Sequence, residues 1–198
     1  MSADFSITGL ILSGGLSTRM GGVDKGLIGL NDQPMIAHII NKLKKQVGQI
    51  FISANHHEDD YGSFGYPVVK DFRDYFAGPL AGVEAVVEKI ETPYLGVVPC
   101  DTPFFPSDLF SKLKHHMLSN DLKAAYAAVN DDKNQVHPLC CLIDADVSRS
   151  VIDFLERGSS KAIDWLNEIG AKPVFFNNSF EFINLNKPED WVGIKDRY

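Results

Sequence analysis

The chain has 198 residues, of which 44% are hydrophobic and 23% charged, and it carries a formal net charge of −7. That length supplies one well-buried core, so a single domain over residues 1–198 with ordinary globular composition is expected. The acidic balance and the lack of a long basic stripe exclude nucleic acid or an acidic membrane surface as the main partner, although a nucleotide can still be bound locally.

The first element is an apolar strand over residues 7–12 that ends abruptly in Ser13-Gly14-Gly15. Glycines without Cβ let consecutive backbone N–H groups turn inward and approach an anion, and the resulting concavity carries positive partial charge. Gly14 and Gly15 suit that task. Arg19 and Lys25, separated by flexible glycines, bring a planar fork and a mobile point charge to one polyphosphate. The stretch therefore reads as a strand feeding a triphosphate loop. It is not a Walker loop, because Asp24 stands where the second glycine belongs and Gly26 where the hydroxyl residue belongs; nor is there a Gly-x-Gly-x-x-Gly dinucleotide fingerprint.

Residues 34–47 place Met35, Ile36, Ile39, Ile40, Leu43 and Val47 on one helical stripe, with Pro34 suited to the first turn, and residues 49–54 read as a second strand. Strand, loop, helix, strand is the pattern of a parallel sheet with right-handed crossovers. Residues 66–70 form a short third strand ending at Asp71. A helix over 78–90 follows, and its opening Gly78-Pro79-Leu80-Ala81-Gly82 offers small residues on which a flat base or ribose can rest. Residues 94–100 are the most apolar strand pattern and end at Asp101-Thr102-Pro103. In open parallel sheets ligands sit beyond the carboxyl ends of strands, so Ser13, Asp71 and Asp101 are expected at one edge.

A helix over 107–119 precedes two strands, 123–129 and 135–143, joined by a polar turn as a hairpin-like insertion with an antiparallel element. Helices over 147–157 and 161–169 are stopped by Gly158 and Gly170. Strands over 172–176 and 181–184 and a helix from 188 onward complete the chain. No basic segment or long apolar run precedes the first strand, and no stretch reaches the roughly eighteen apolar residues of a spanning helix. The expectation is a cytoplasmic protein without a signal peptide. Cys100, Cys140 and Cys141 are an odd count without paired metal-ligand spacing and read as buried small apolar residues, Cys100 being notable for preceding Asp101.

Asp101, directly after a buried strand, is suited to hold Mg²⁺, which keeps several waters and takes one or two carboxylates plus substrate phosphate oxygens. Asp71 can accept hydrogen bonds from guanine N1–H and its exocyclic amine, or from a ribose hydroxyl. Asp144-Ala145-Asp146 spells a D-x-D, but its place before a helical pattern reads as an N-cap. The adjacent pairs His56-His57 and His115-His116 face different directions and cannot chelate one metal, so they read as surface residues.

The run Leu12-Ser13-Gly14-Gly15-Leu16-Ser17-Thr18-Arg19-Met20-Gly21-Gly22-Val23-Asp24-Lys25 resembles the nucleotidylyltransferase signature L-[AS]-G-G-x-S-x-R-M-G with a following Asp-Lys, and in particular that of the molybdenum cofactor guanylyltransferase family. The resemblance extends from Ile7 to Trp191 through Gly78–Gly82, Cys100–Pro103 and Asn184–Glu189. It implies a Rossmann-like three-layer α/β/α nucleotidylyltransferase fold with a mostly parallel mixed sheet. It also implies transfer of GMP from GTP to molybdenum-molybdopterin with release of pyrophosphate. By this resemblance GTP is bound at the positions of Leu12, Ser13, Gly14, Lys25, Asp71 and Asp101, with His137 lining the acceptor pocket and the segment of Asn184 and Asn186 echoing a further motif. Asn186 reads equally as a helix cap. The chain departs from the family at Ser53, where the pattern has asparagine; Asn55 is placed to compensate. Arg19, Lys25 and an Asp101-bound Mg²⁺ carry catalysis in this reading, and the acidic surface is compatible with docking onto molybdenum cofactor proteins. Transfer of CMP to the same pterin, nucleotidyl transfer to a sugar phosphate, and a non-catalytic GTP-binding cofactor carrier stand as the alternatives.

Overall fold

The computed structural model describes residues 3–13, 24–30, 32–73, 75, 77–130 and 134–185. Gly14, Gly15, Arg19, Asn186 and the helix expected from 188 onward lie outside these residues.

The first strand, β1 (Asp4–Leu12), is apolar on both faces, as a strand covered on two sides must be. Ile7 and Ile11 point into one hydrophobic cluster, Leu10 and Leu12 into the other. A 3-10 turn, Lys25–Leu27, and the two-residue strands β2 (Gly29–Leu30) and β3 (Gln33–Pro34) lead into helix α1 (Met35–Leu43). The helix ends four residues before the periodicity suggests, because Val47 opens strand β4 (Val47–Ser53). Next come α2 (Glu58–Gly62), β5 (Val68–Val69), α3 (Leu80–Val87) and β6 (Tyr94–Pro99). The second half holds α4 (Leu109–Ser119), β7 (Ala124–Val129), β8 (Val136–Asp144), α5 (Ala145–Ser148), α6 (Val151–Glu156), α7 (Ala162–Glu168) and β9 (Lys172–Phe176).

Seven strands form one sheet in the order β5-β4-β1-β6-β8-β7-β9. Among the described residues only β8 runs against its neighbours; β1 pairs in parallel with β4 and β6, β4 with β5, and β7 with β9. Helices α1 and α4 pack on one face through Ile36, Ile39, Leu43, Phe110 and Leu113. On the other face α3, α6 and α7 pack through Leu80, Val83, Val86, Phe154 and Trp165. Three layers follow, as expected of a mostly parallel mixed sheet.

Two expectations are corrected. Residues 181–184 are not a strand: a 3-10 turn, Ser179–Phe182, occupies this stretch, opened by Asn178, whose side chain accepts from the Phe180 N–H. Phe182 is thereby buried edge-on against Phe176, with ring centroids 5.1 Å apart. The helix expected over 147–157 is divided between α5 and α6, and Asp144 caps the first by accepting from the Asp146 N–H, as its position suggested. The hairpin of β7 and β8 is present, but β8 lies inside the main sheet between β6 and β7. All three cysteines are buried and free, and no helix among the described residues is long and apolar enough to cross a membrane.

Gly96 in β6 shows how tightly the α4 face is packed. A Cβ there would lie 2.7 Å from Phe110 Cε1, and Phe110 is fully buried. Gly96→Ala is expected to destabilise the fold by about 1–3 kcal/mol through overpacking, read as a lower urea midpoint at unchanged m-value.

Candidate active site

The chain runs outward from β1 to β4 and β5, then returns to place β6 on the other side of β1. Strand order therefore reverses between β1 and β6, and a crevice opens beyond their carboxyl ends, the usual ligand position in such sheets. Here lies a cavity of about 390 Å³. Leu12 and Ser13 reach it from β1, Ser53 from β4, and Cys100 and Asp101 from β6; Asp71 follows β5, and Gly78 and Gly82 come from the start of α3. The gathering of Ser13, Asp71 and Asp101 at one edge agrees with the sequence.

Lys25 heads the 3-10 turn and faces Asp101 across the crevice, Nζ to Oδ2 at 3.8 Å. Burial raises the Asp101 carboxyl above its ordinary pKa, an effect that Lys25 and the Thr102 hydroxyl only partly offset. The carboxylate is thus shielded from water, with Lys25 as its cationic neighbour among the described residues. Thr102 Oγ1 also donates to Asn184 Oδ1 at 2.8 Å, and the Leu185 N–H donates to the Asp101 carbonyl at 2.8 Å. These bonds tie the segment after the last 3-10 turn to the floor of the site.

The wall beside Ser13 is made by close packing. The Ser13 N–H donates to the Ser53 carbonyl at 2.8 Å, and a Cβ on Gly82 would collide with Ser53 Oγ and lie 2.7 Å from Leu12 Cδ2. Only glycine lets α3 approach the strand ends this closely. Asn55 does not reach the main cavity; it borders an adjoining one with Asp71, Lys70, Arg73 and Tyr75. Its amide grips Asp71 twice, Nδ2 donating to Oδ2 at 2.7 Å and Oδ1 accepting from the Asp71 N–H at 3.0 Å. Asp71 Oδ1 is buried without a hydrogen-bond partner among the described residues. Burial raises this carboxyl too, despite the Asn55 bond, and Glu84 adds to the rise.

The opposite wall comes from β8. Pairing with β7 jumps from Tyr126–Cys141 to Ala127–His137, so Pro138, Leu139 and Cys140 bulge out of the ladder, and all three line the cavity. Proline cannot donate to a ladder, and bulges commonly re-aim side chains beside active sites. His137 lies in this wall, stacked on Phe182 at 4.7 Å between ring centroids. Asp24, from the signature run, also lines the site, as do Gln135 and Val136, which stand out in the sequence only weakly. Cys100 is part of the wall, and burial pushes its thiol well up, so it is a neutral surface and not a nucleophile. His56 and His57 are exposed, away from the cavity lining. Among the described residues no three His, Cys, Asp or Glu side chains form a metal cage.

A switch-point crevice with a lysine and a carboxylate facing each other, walled by a helix start that Gly82 lets pack against the strand ends, is the ligand position of a nucleotide-binding α/β fold. The model of the MobA-like NTP transferase domain matches residues 9–170, and the chain belongs to that family. It is 41% identical over 186 residues to the molybdenum cofactor guanylyltransferase of Polynucleobacter asymbioticus, spanning 93% of this chain and 94% of that one. To the enzyme of the same name from Ralstonia nicotianae it is 42% identical over 186 residues, 91% of each chain. The fold is shared with the crystal structure of molybdopterin-guanine dinucleotide biosynthesis protein A from Archaeoglobus fulgidus, with a TM-score of 0.75 over 96% of this chain and 97% of that one at 15% identity.

Proposed function

We propose that this protein transfers GMP from GTP to the terminal phosphate of molybdenum-molybdopterin, giving the guanine dinucleotide cofactor and pyrophosphate. The observation that carries the reading is the Lys25–Asp101 opposition at 3.8 Å in the switch-point crevice, in a chain about 40% identical to molybdenum cofactor guanylyltransferases over nearly its whole length.

The nucleoside occupies the side of the cavity walled by Leu12, Ser13, Ser53 and Gly82. Asp71, held by Asn55 through one oxygen, keeps the other as an acceptor. Guanine presents two adjacent donors on its Watson–Crick edge and cytosine one, so a carboxylate here favours guanine; a ribose hydroxyl is the other donor it suits. The pterin lies along the β8 bulge, against Val136, His137 and Leu139, with Asn184 at its rim. Lys25, and Arg19 from the signature loop, attract the triphosphate. A terminal phosphate oxygen of the pterin then attacks the α-phosphorus in line; the new P–O bond forms as the bond to the β-phosphate bridging oxygen breaks, and pyrophosphate leaves. Catalysis is positioning and charge stabilisation, without a covalent enzyme intermediate.

Asp101 fits Mg²⁺: it is a single carboxylate lining the crevice, and no cage of ligand groups gathers around it among the described residues, as suits an ion that keeps waters and phosphate oxygens. When bound there, Mg²⁺ neutralises charge on the phosphate under attack. We further propose that the chain acts in the cytoplasm as one domain and hands its product to molybdenum cofactor proteins by transient docking.

Pyrophosphate release from GTP, CTP, ATP and UTP, with Mg²⁺ and with or without molybdenum-loaded molybdopterin, tests the reading. Release with GTP alone and only with the pterin is the expected result. Preference for CTP would reassign the base. GTP binding without release under any condition would leave a carrier.

A further inference from the structure

Lys25 reaches the crevice because the 3-10 turn beneath it is held from behind. The turn is capped by Asp24, only 7% exposed, whose Oδ1 accepts from the Gly26 N–H at 3.1 Å and from the Tyr61 hydroxyl at 2.5 Å. Tyr61 comes from α2, on the connection between β4 and β5, and is completely buried in the cluster beneath α1. Its hydroxyl has given up water and therefore needs this acceptor. Burial first, then the neighbouring Cys100 and the bond to Asp24, pushes the phenol far above its ordinary pKa, so it remains a donor. Gly26 completes the fit. A Cβ there would lie 2.5 Å from the Tyr61 oxygen and 3.3 Å from two ring carbons, so any larger residue would push the ring off Asp24.

Phenylalanine would fill the same core space as Tyr61. What the hydroxyl adds is a fixed point for the carboxylate that begins the Lys25 turn. We propose that Tyr61 is a positioning residue for nucleotidyl transfer, setting Lys25 against the phosphates through Asp24 and the Gly26 turn. The proposal rests on the reading of Lys25 given above.

The test is a double-mutant cycle in the full chain with GTP, Mg²⁺ and loaded molybdopterin, using Tyr61→Phe, Lys25→Ala and both together, each assayed well below its own thermal midpoint. Tyr61→Phe is expected to lower kcat about tenfold or more, because small misplacements of a group at the reacting centre are costly, with a smaller change in KM for GTP. In the Lys25→Ala background the same change is expected to have no further effect on kcat, since the residue it positions is gone. Asp24→Asn, which keeps the shape of the cap, should repeat this dependence on Lys25 and serves if Tyr61→Phe folds poorly. A Lys25→Ala enzyme with full activity would overturn the reading of Lys25 itself, and the proposal with it. A crippled Lys25→Ala alongside an unimpaired Tyr61→Phe would overturn the positioning role alone. Equal losses from Tyr61→Phe in both backgrounds would do so as well, by showing a general effect on the fold.

Discussion

Replacing Lys25 by alanine is expected to lower kcat/KM for GTP by up to about a thousandfold, while the thermal midpoint moves by no more than a few degrees. Two unit charges about 4 Å apart at an effective dielectric near 20 attract by about 4 kcal/mol, and a thousandfold in rate is about the same energy. That is an upper bound, for two reasons. Lys25 is 32% exposed, so water screens part of the attraction, and whatever attraction GTP already enjoys before the transition state lowers KM without raising kcat. The fold is spared because a partly exposed ion pair contributes only about 0–1 kcal/mol. Steady-state kinetics alongside a melting curve separate the two quantities. A lysine that is merely a solvated surface charge would leave both unchanged.

Asp101→Asn is expected to abolish most Mg²⁺-dependent transfer, by about a hundredfold or more, without loss of stability near neutral pH. Burial raises the Asp101 carboxyl in the folded chain. A carboxyl raised above its unfolded value makes its stabilising contribution only while protonated. That contribution is complete below the unfolded pKa and is lost as pH rises through the folded one. At neutral pH the ionised group is therefore a cost, and asparagine removes it; the melting midpoint should be unchanged or higher. In the absence of Mg²⁺, the wild type should therefore gain stability relative to Asp101→Asn as the pH falls and Asp101 takes up its proton, read from the melting midpoints of both proteins across the acid range. A midpoint several degrees lower in Asp101→Asn would instead make this carboxylate a structural cap of the turn before Pro103.

Much of the site was legible because its parts are local. A strand that stops at Ser13, a strand that stops at Asp101 and a helix opened by Gly78-Pro79 are each contiguous, and the rule for parallel sheets brings them together. The bulge of Pro138–Cys140 was not legible, since its register depends on which strand lies opposite. By sequence Asn55 is a substitute contact for Ser53. It is found behind Asp71, because the β4–β5 pairing sets those two side chains against each other. Nothing local marks Tyr61: a tyrosine in a short acidic helix carries no signal that its hydroxyl meets a carboxylate 37 residues earlier.

What the sequence determined by itself was chemistry in short segments: the signature around Lys25, the apolar periods of α1 and β6, and the strand-end carboxylates. Hydrophobic period and turn residues act over a few positions, so they can be read without knowing the neighbours. The tertiary structure alone decided that β8 is inserted between β6 and β7, that Ser179–Phe182 turns instead of extending, and that Tyr61 stands beneath Lys25. Each of these is settled by which surfaces must bury one another, a competition among distant segments that local propensity does not express.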